Sequence, residues 1–140
     1  MNKRDVMFIV LHCTAGPQKQ TTQAIKNYWK NVLKWKSVGY HFLINADGSY
    51  ERLASDETVT NGVAGYNSNS MHISYKGGVD AKGKAFDTRT DAQKKTMETL
   101  VRTLKAKYPK AIVQGHRDFK GVKKDCPSFS VKAWLKEIGM

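Results

Sequence analysis

The sequence predicts an α/β (α+β) fold: a single compact domain over residues 1–140, with a central mixed β-sheet of about five strands flanked by about three helices. Three observations carry that expectation. Val6-Met7-Phe8-Ile9-Val10-Leu11 is continuously apolar, the pattern of a central strand covered on both faces. Apolar stripes at three- and four-residue spacing recur over 21–33 and 90–108, the mark of helices with one buried face. The elements read in the order β-α-β-β-β-α-β-α, which calls for a mixed sheet with helices packed on it. A chain of 140 residues is long enough to bury a core without staples, and no internal repeat, low-complexity tract or linker divides it.

The first strand runs from Val6 to Leu11 and His12 closes it, at the strand edge where α/β folds place their chemistry. Gly16-Pro17 breaks the loop that follows. Thr21 or Thr22 then caps a helix whose Ile25, Tyr28, Trp29, Val32 and Leu33 form one stripe, read as core packing; Trp35 beyond it is a candidate groove residue. A second strand spans Gly39–Ile44, with Tyr40, Phe42 and Ile44 on one face and His41 and Leu43 on the other. Asp47-Gly48 turns it into Ser49–Leu53 as a hairpin. Residues 58–70 are small and polar, a binding-loop composition. Met71–Lys76 alternates as a strand and Gly77-Gly78 ends it. Thr90 and Gln93 make a capping box for a helix burying Met97, Leu100, Val101 and Leu104, which Pro109 stops. Ala111–Gln114 reads as a short buried strand leading to His116, and Ser130 caps a last helix with Val131, Trp134, Leu135 and Ile138 inward.

Composition narrows the function classes. Apolar and charged fractions are those of a globular protein, and no run approaches the ~20 apolar residues of a membrane span. Val6–Leu11 is too short for a signal h-region, so no export signal is expected. Lys and Arg outnumber Asp and Glu 24 to 12, a net +12. Such charge favours encounter with polyanions: nucleic acid, an acidic lipid surface or a carboxylate-bearing cell-wall polymer. Lysines are scattered and dominate over arginines, which weakens the nucleic-acid reading, and many simply solvate the surface.

The stretch His116-Arg117-Asp118-Phe119-Lys120-Gly121-Val122-Lys123-Lys124-Asp125-Cys126 sets an imidazole, paired amines and a thiol in a Gly- and Lys-rich loop. His and Cys are favoured zinc ligands, and His12 is the candidate third. Three protein ligands leave a fourth position for water, whose pKa zinc lowers to about 7, so the chemistry expected is amide or ester hydrolysis. The oxyanion formed needs a nearby positive charge, which Lys124 is placed to supply. If His12 and Cys126 share a metal, Cys13 points to the other face of its strand; a Cys13–Cys126 disulfide is the competing use of the two thiols.

The segments Ile9-Val10-Leu11-His12-Cys13-Thr14-Ala15, Val38-Gly39-Tyr40-His41-Phe42-Leu43-Ile44, Gly65-Tyr66-Asn67-Ser68-Asn69-Ser70, Gly115-His116-Arg117-Asp118 and Lys124-Asp125-Cys126-Pro127-Ser128-Phe129, in that order, resemble the zinc-dependent N-acetylmuramoyl-L-alanine amidases of type 2, kin of the peptidoglycan-recognition proteins. The resemblance covers nearly the whole chain. It implies a peptidoglycan hydrolase that cuts between the lactyl group of N-acetylmuramic acid and L-alanine, as a phage endolysin or wall-remodelling enzyme. It also implies Zn2+ held by His12, His116 and Cys126, Tyr40 orienting or relaying protons to the attacking water, Lys124 stabilising the oxyanion, and Asn69 holding the stem peptide. Retention of Cys126 disfavours the non-hydrolytic recognition-protein reading, in which that thiol is lost; the alternative function is a non-catalytic peptidoglycan- or polyanion-binding regulator, the latter driven by the net charge. Where the family tends to have Ile-Gly, this chain has Met71-His72, with His72 read as a surface strand residue or a groove residue. A phage member of the family uses an extra N-terminal segment against RNA polymerase; with the first strand so near the start, that activity is not expected here. A monomer without nucleic-acid partner or membrane span is expected, made in the cytoplasm and released to the wall by a holin.

Overall fold

The computed structural model describes residues 5–140. Its five strands are β1 (Phe8–Cys13), β2 (Phe42–Ile44), β3 (Tyr50–Arg52), β4 (Ser70–Tyr75) and β5 (Ile112–Gly115), in the sheet order β3-β2-β4-β1-β5. β1 runs parallel to β4 and β5, β2 runs parallel to β4, and β3 closes the hairpin antiparallel to β2. The sheet is mixed, as expected. Its helices are α1 (Thr22–Asn27), α2 (Asp91–Lys107) and α3 (Val131–Glu137). Thr21 caps α1 and Ser130 caps α3, while Thr90 and Gln93 form the capping box of α2.

Strand alternation sorts the residues into two cores. Ile9, Leu11 and Cys13, with Met71, Ile73, Tyr75, Phe42 and Ile44, face α2 and α3 and pack on Met97, Leu100, Val101, Leu104, Val131 and Trp134. Opposite parity puts Val10, His12, Leu43 and His72 on the other face. There Ile25 and Trp29 pack with Leu43, and Val63 and Phe119 pack with Val10. That second face carries the site.

Four local expectations are corrected. His12 lies inside β1, paired with Ser74, and the strand continues through Cys13. The aromatic stripe is only partly core: Ile25 and Trp29 are buried, but Tyr28 is 51% and Val32 61% exposed. The cause is a π-helical turn over Tyr28–Val32, whose i→i+5 hydrogen bonding fits more residues into each turn than the 3.6 spacing assumes and so moves Tyr28 and Val32 off the face that Trp29 keeps buried. Tyr40 packs with Leu43 and Trp29 instead of with Phe42 and Ile44, because regular alternation begins only at Phe42. β5 is an edge strand with Ile112 56% exposed, so it is not buried. No helix among the described residues is long and apolar enough to cross a membrane.

Candidate active site

Because β1 and β5 are parallel neighbours, both deliver their last residues to the same end of the sheet. His12 sits near the end of β1, and His116 opens the 3-10 turn His116–Asp118 directly after β5, with ring centroids 4.9 Å apart. Cys126 is brought over them by the returning loop. Its carbonyl accepts from the Arg117 N–H at 2.8 Å, its sulfur accepts from the Cys13 N–H at 3.2 Å, and the Tyr75 hydroxyl donates to the next carbonyl, that of Pro127, at 2.7 Å. His12, His116 and Cys126 thus form the one group among the described residues able to hold a metal ion, with ligand atoms within 4.8 Å of one another. The donor set fits zinc: tetrahedral bonds of ordinary length put imidazole nitrogen and thiolate sulfur about 3.5 Å apart. His12 Nδ1 and Cys126 Sγ are 3.8 Å apart.

The electrostatics suit the same purpose. Burial, together with His72, His116 and Lys124 nearby, holds the His12 imidazole well below its ordinary range. Burial and the Lys124 ammonium bring His116 down to about 4. Both rings are therefore neutral at pH 7, with lone pairs available. The thiols of Cys13 and Cys126 share a hydrogen bond and titrate as a pair. The first thiolate forms readily, with Cys13 lowered to about 7 chiefly by that bond, and Cys126 is held well above its ordinary range by the same bond and by burial. No disulfide joins them, and Cys13 is buried on the face of β1 opposite His12.

The three donors open into a cleft of about 390 Å³, walled by Trp29, Trp35, Tyr40, Asn61 and Lys124. Trp35 stacks on Trp29 at 6.3 Å and also lines an adjoining hollow with Asn67, Gly121 and Lys123. The Tyr40 hydroxyl donates to the Cys13 carbonyl at 3.3 Å, and its ring lies 5.1 Å from that of His12. Burial and the neighbouring thiols push its pKa far up, so it keeps its proton and serves as a donor.

Of the residues singled out in the sequence, His12, Tyr40, His116, Lys124 and Cys126 all line this cleft. Asn69 is elsewhere. It precedes β4, at the opposite end of the sheet, and its side-chain amide donates to the Asp5 carbonyl at 2.9 Å. His72 occupies neither place expected of it. It is fully buried, and its Nδ1 lies 2.8 Å from His12 Nε2. Sequence reasoning missed this contact and, with it, Asn67, whose Oδ1 is 3.0 Å from His72 Nε2.

Comparison with known proteins agrees with this geometry. The family model for N-acetylmuramoyl-L-alanine amidase matches residues 2–129. The endolysin of Escherichia phage T7 is 36% identical over 130 residues, covering 92% of this chain and 85% of that protein. The endolysin of Klebsiella phage KP32 is 34% identical over 136 residues, covering 96% and 89%. Among solved structures, the Ph2119 endolysin from a Thermus scotoductus bacteriophage superposes with a TM-score of 0.82 at 26% identity, covering 100% of this chain and 89% of that one. Drosophila PGRP-LB shares the fold, with a TM-score of 0.74 at 16% identity over 94% and 79% of the chains. With a matching family model over most of its length and phage endolysins as relatives, the chain belongs to the type 2 N-acetylmuramoyl-L-alanine amidases.

Proposed function

We propose that this amidase is a zinc enzyme that cuts peptidoglycan between the muramoyl lactyl group and L-alanine, with His12, His116 and Cys126 as ligands. The observation that supports the metal most strongly is the convergence of two neutral imidazoles and a thiol, ligand atoms within 4.8 Å, in the wall of an open cleft. Bound there, zinc supplies Lewis acidity that activates solvent and polarises the scissile carbonyl. The chain's own groups do the rest. Lys124, at the rim, offers a fixed positive charge to the oxyanion that develops on the carbonyl. Tyr40, protonated across the working range, orients the attacking water through its hydroxyl. Trp29 and Trp35 give the cleft an apolar wall against which a sugar ring or lactyl group packs, and Asn61 offers amide contacts to a stem peptide. Asn69, bonded to Asp5 at the other end of the sheet, is not assigned that task.

The protein is proposed to act on the cell wall as a monomer, reaching it through a holin pore. Digestion of purified peptidoglycan is the test. New amino termini on alanine without new reducing sugars are expected, and new reducing sugars would instead identify a glycosidase. Cys126→Ser should remove zinc and activity together, whereas a zinc-free protein of full activity would refute the metal assignment.

A further inference from the structure

All four histidines of the chain lie in one cluster, though only His12 and His116 offer nitrogen to the metal group. His72 lies 4.9 Å from His12 ring to ring and 5.9 Å from His41, stacked on the latter at 17°. We infer that His72 is a positioning residue for the metal ligand: its imidazole accepts a hydrogen bond from His12 Nε2–H and so fixes His12 in the tautomer that presents a bare Nδ1 to the metal. The inference rests on the zinc reading proposed above.

The proton positions follow link by link. A backbone N–H can only donate, and the Val63 N–H points at Asn67 Oδ1 at 2.7 Å, which fixes the orientation of that amide. The same Oδ1 faces His72 Nε2 at 3.0 Å, so Nε2 carries a proton. A neutral imidazole has one donor and one acceptor, and a charged one at a fully buried position beside other imidazoles is strongly disfavoured. His72 Nδ1 is thus the acceptor, and His12 Nε2, 2.8 Å away, is the donor. The proton of neutral His12 is committed there, leaving Nδ1 bare, 3.8 Å from Cys126 Sγ.

His72 is itself held. Its backbone N–H donates to His41 Nδ1 at 3.0 Å, and His41 Nε2 lies 2.7 Å from the Thr58 carbonyl, which can only accept. Gly62 makes room for the ring: a Cβ at that position would fall far inside van der Waals contact of His72 Nδ1, Cε1 and Cγ. Partners of this kind, beyond the ligands themselves, orient metal-bound imidazoles, and losing one typically costs about ten- to a hundredfold in metal affinity.

The test combines long-range 1H–15N correlation spectra of the metal-free full chain with zinc affinity measured by chelator competition. The expected spectrum shows His12 protonated at Nε2. His72→Val, which keeps bulk but has no acceptor, should weaken zinc binding about ten- to a hundredfold, and His72→Asn, which restores an acceptor oxygen, should recover most of the loss. Gly62→Ala leaves His72 in place chemically but crowds its ring, so it should weaken zinc binding and abolish the Nε2–H signature. If His72→Val does not fold, the wild-type spectrum and Gly62→Ala still decide. A wild-type His12 protonated at Nδ1, or a folded His72→Val that binds zinc as tightly as wild type, overturns the inference. A wild type that binds no zinc refutes the metal reading instead, and the spectrum of the metal-free protein then reports separately on the His12–His72 bond.

Discussion

Zinc binding to the metal-free protein at pH 6 should release close to one proton, far fewer than the ligand types alone suggest. An unperturbed histidine, with a pKa of about 6.5, is about three-quarters protonated at pH 6, so two would release about 1.5 protons and a thiol about one more, some 2.5 in all. The structure removes the first contribution. His116 is lowered to about 4 and His12 lies well below 6.5. At pH 6 a group of pKa 4 is only about 1% protonated, so His116 has almost no proton to lose, and the lowering of His12 by burial and its neighbours leaves that ring predominantly neutral too. What remains is the thiol of Cys126, held protonated by burial and by its hydrogen bond to Cys13. Calorimetric titration in buffers of different ionisation enthalpy measures the number directly, as the slope of observed heat against buffer heat. The slope should be near one at pH 6. Above pH 7, where Cys13, lowered to about 7, already carries the pair's thiolate, the proton leaving Cys126 passes to Cys13 instead of to solvent, and the slope should fall toward zero. Two or more protons released at pH 6 would show that the imidazoles are not kept neutral by burial and Lys124. None released would show that Cys126 is ionised before the metal arrives.

Other perturbations bear on neighbouring parts of the site. Lys124→Ala should keep zinc yet lower the turnover number by roughly 10²–10³-fold, the usual cost of losing one oxyanion donor. Because Lys124 lowers both imidazoles, the variant should also lose zinc at a higher pH on acidification, which a chelator titration against pH would detect. Tyr40→Phe keeps the ring against His12 and Trp29 and loses one long hydrogen bond, so stability should fall by no more than about 1 kcal/mol by urea unfolding while activity drops severalfold or more; unchanged activity would remove its assigned role. The metal-free protein should lose stability as pH falls below about 6.5, since the unfolded chain takes up histidine protons that folded His116 and His12 refuse; the part due to His116 should level off near pH 4, where that ring is protonated in both states, while the part due to His12 continues. Gly78→Ala forces a Cβ onto Cys13 Sγ at a backbone φ of 101°, and should destabilise the fold by about 2 kcal/mol or more, read as a lowered Tm.

The sheet and the metal group were legible in the sequence because their signals are local. A short unbroken apolar run bounded by polar residues reads as a covered strand, as Ile9, Val10 and Leu11 are, though Met7 at its start is exposed. A capping box fixes where α2 begins whatever packs on it. His12, His116 and Cys126 were legible as chemistry because imidazole and thiol in a loop, beside a strand end, have few other uses. What stayed hidden depends on a second segment. A histidine in the alternating run Met71-His72-Ile73-Ser74-Tyr75 reads as the exposed face of a strand, yet every residue of β4 is buried. Only the missing side chain of Gly62, in the loop before β4 and beyond the reach of any rule based on strand alternation, opens the space that His72 fills. The Asn-rich turn misled in the same way: the turn over Asn67–Asn69 sends Asn67 toward the histidines and Asn69 toward Asp5.

The basic balance of the chain bears on the chemistry as well as on the encounter with an anionic wall. Two neutral imidazoles and one thiolate offset only half the charge of a divalent ion, so the loaded site stays net positive even before Lys124 is added. A positive site opposes metal entry to some degree, but it also opposes protonation of the imidazoles, as the lowering of His12 and His116 by Lys124 shows. The same lysine then faces an oxyanion that exists only in the transition state, where a charge fixed in advance needs no reorganisation. Reversing that charge separates the two effects. Lys124→Glu should raise the histidine pKa values and strengthen attraction for a cation at neutral pH, while turnover falls below that of Lys124→Ala. If Lys124→Glu and Lys124→Ala turn over equally, charge at position 124 plays no part in the reaction.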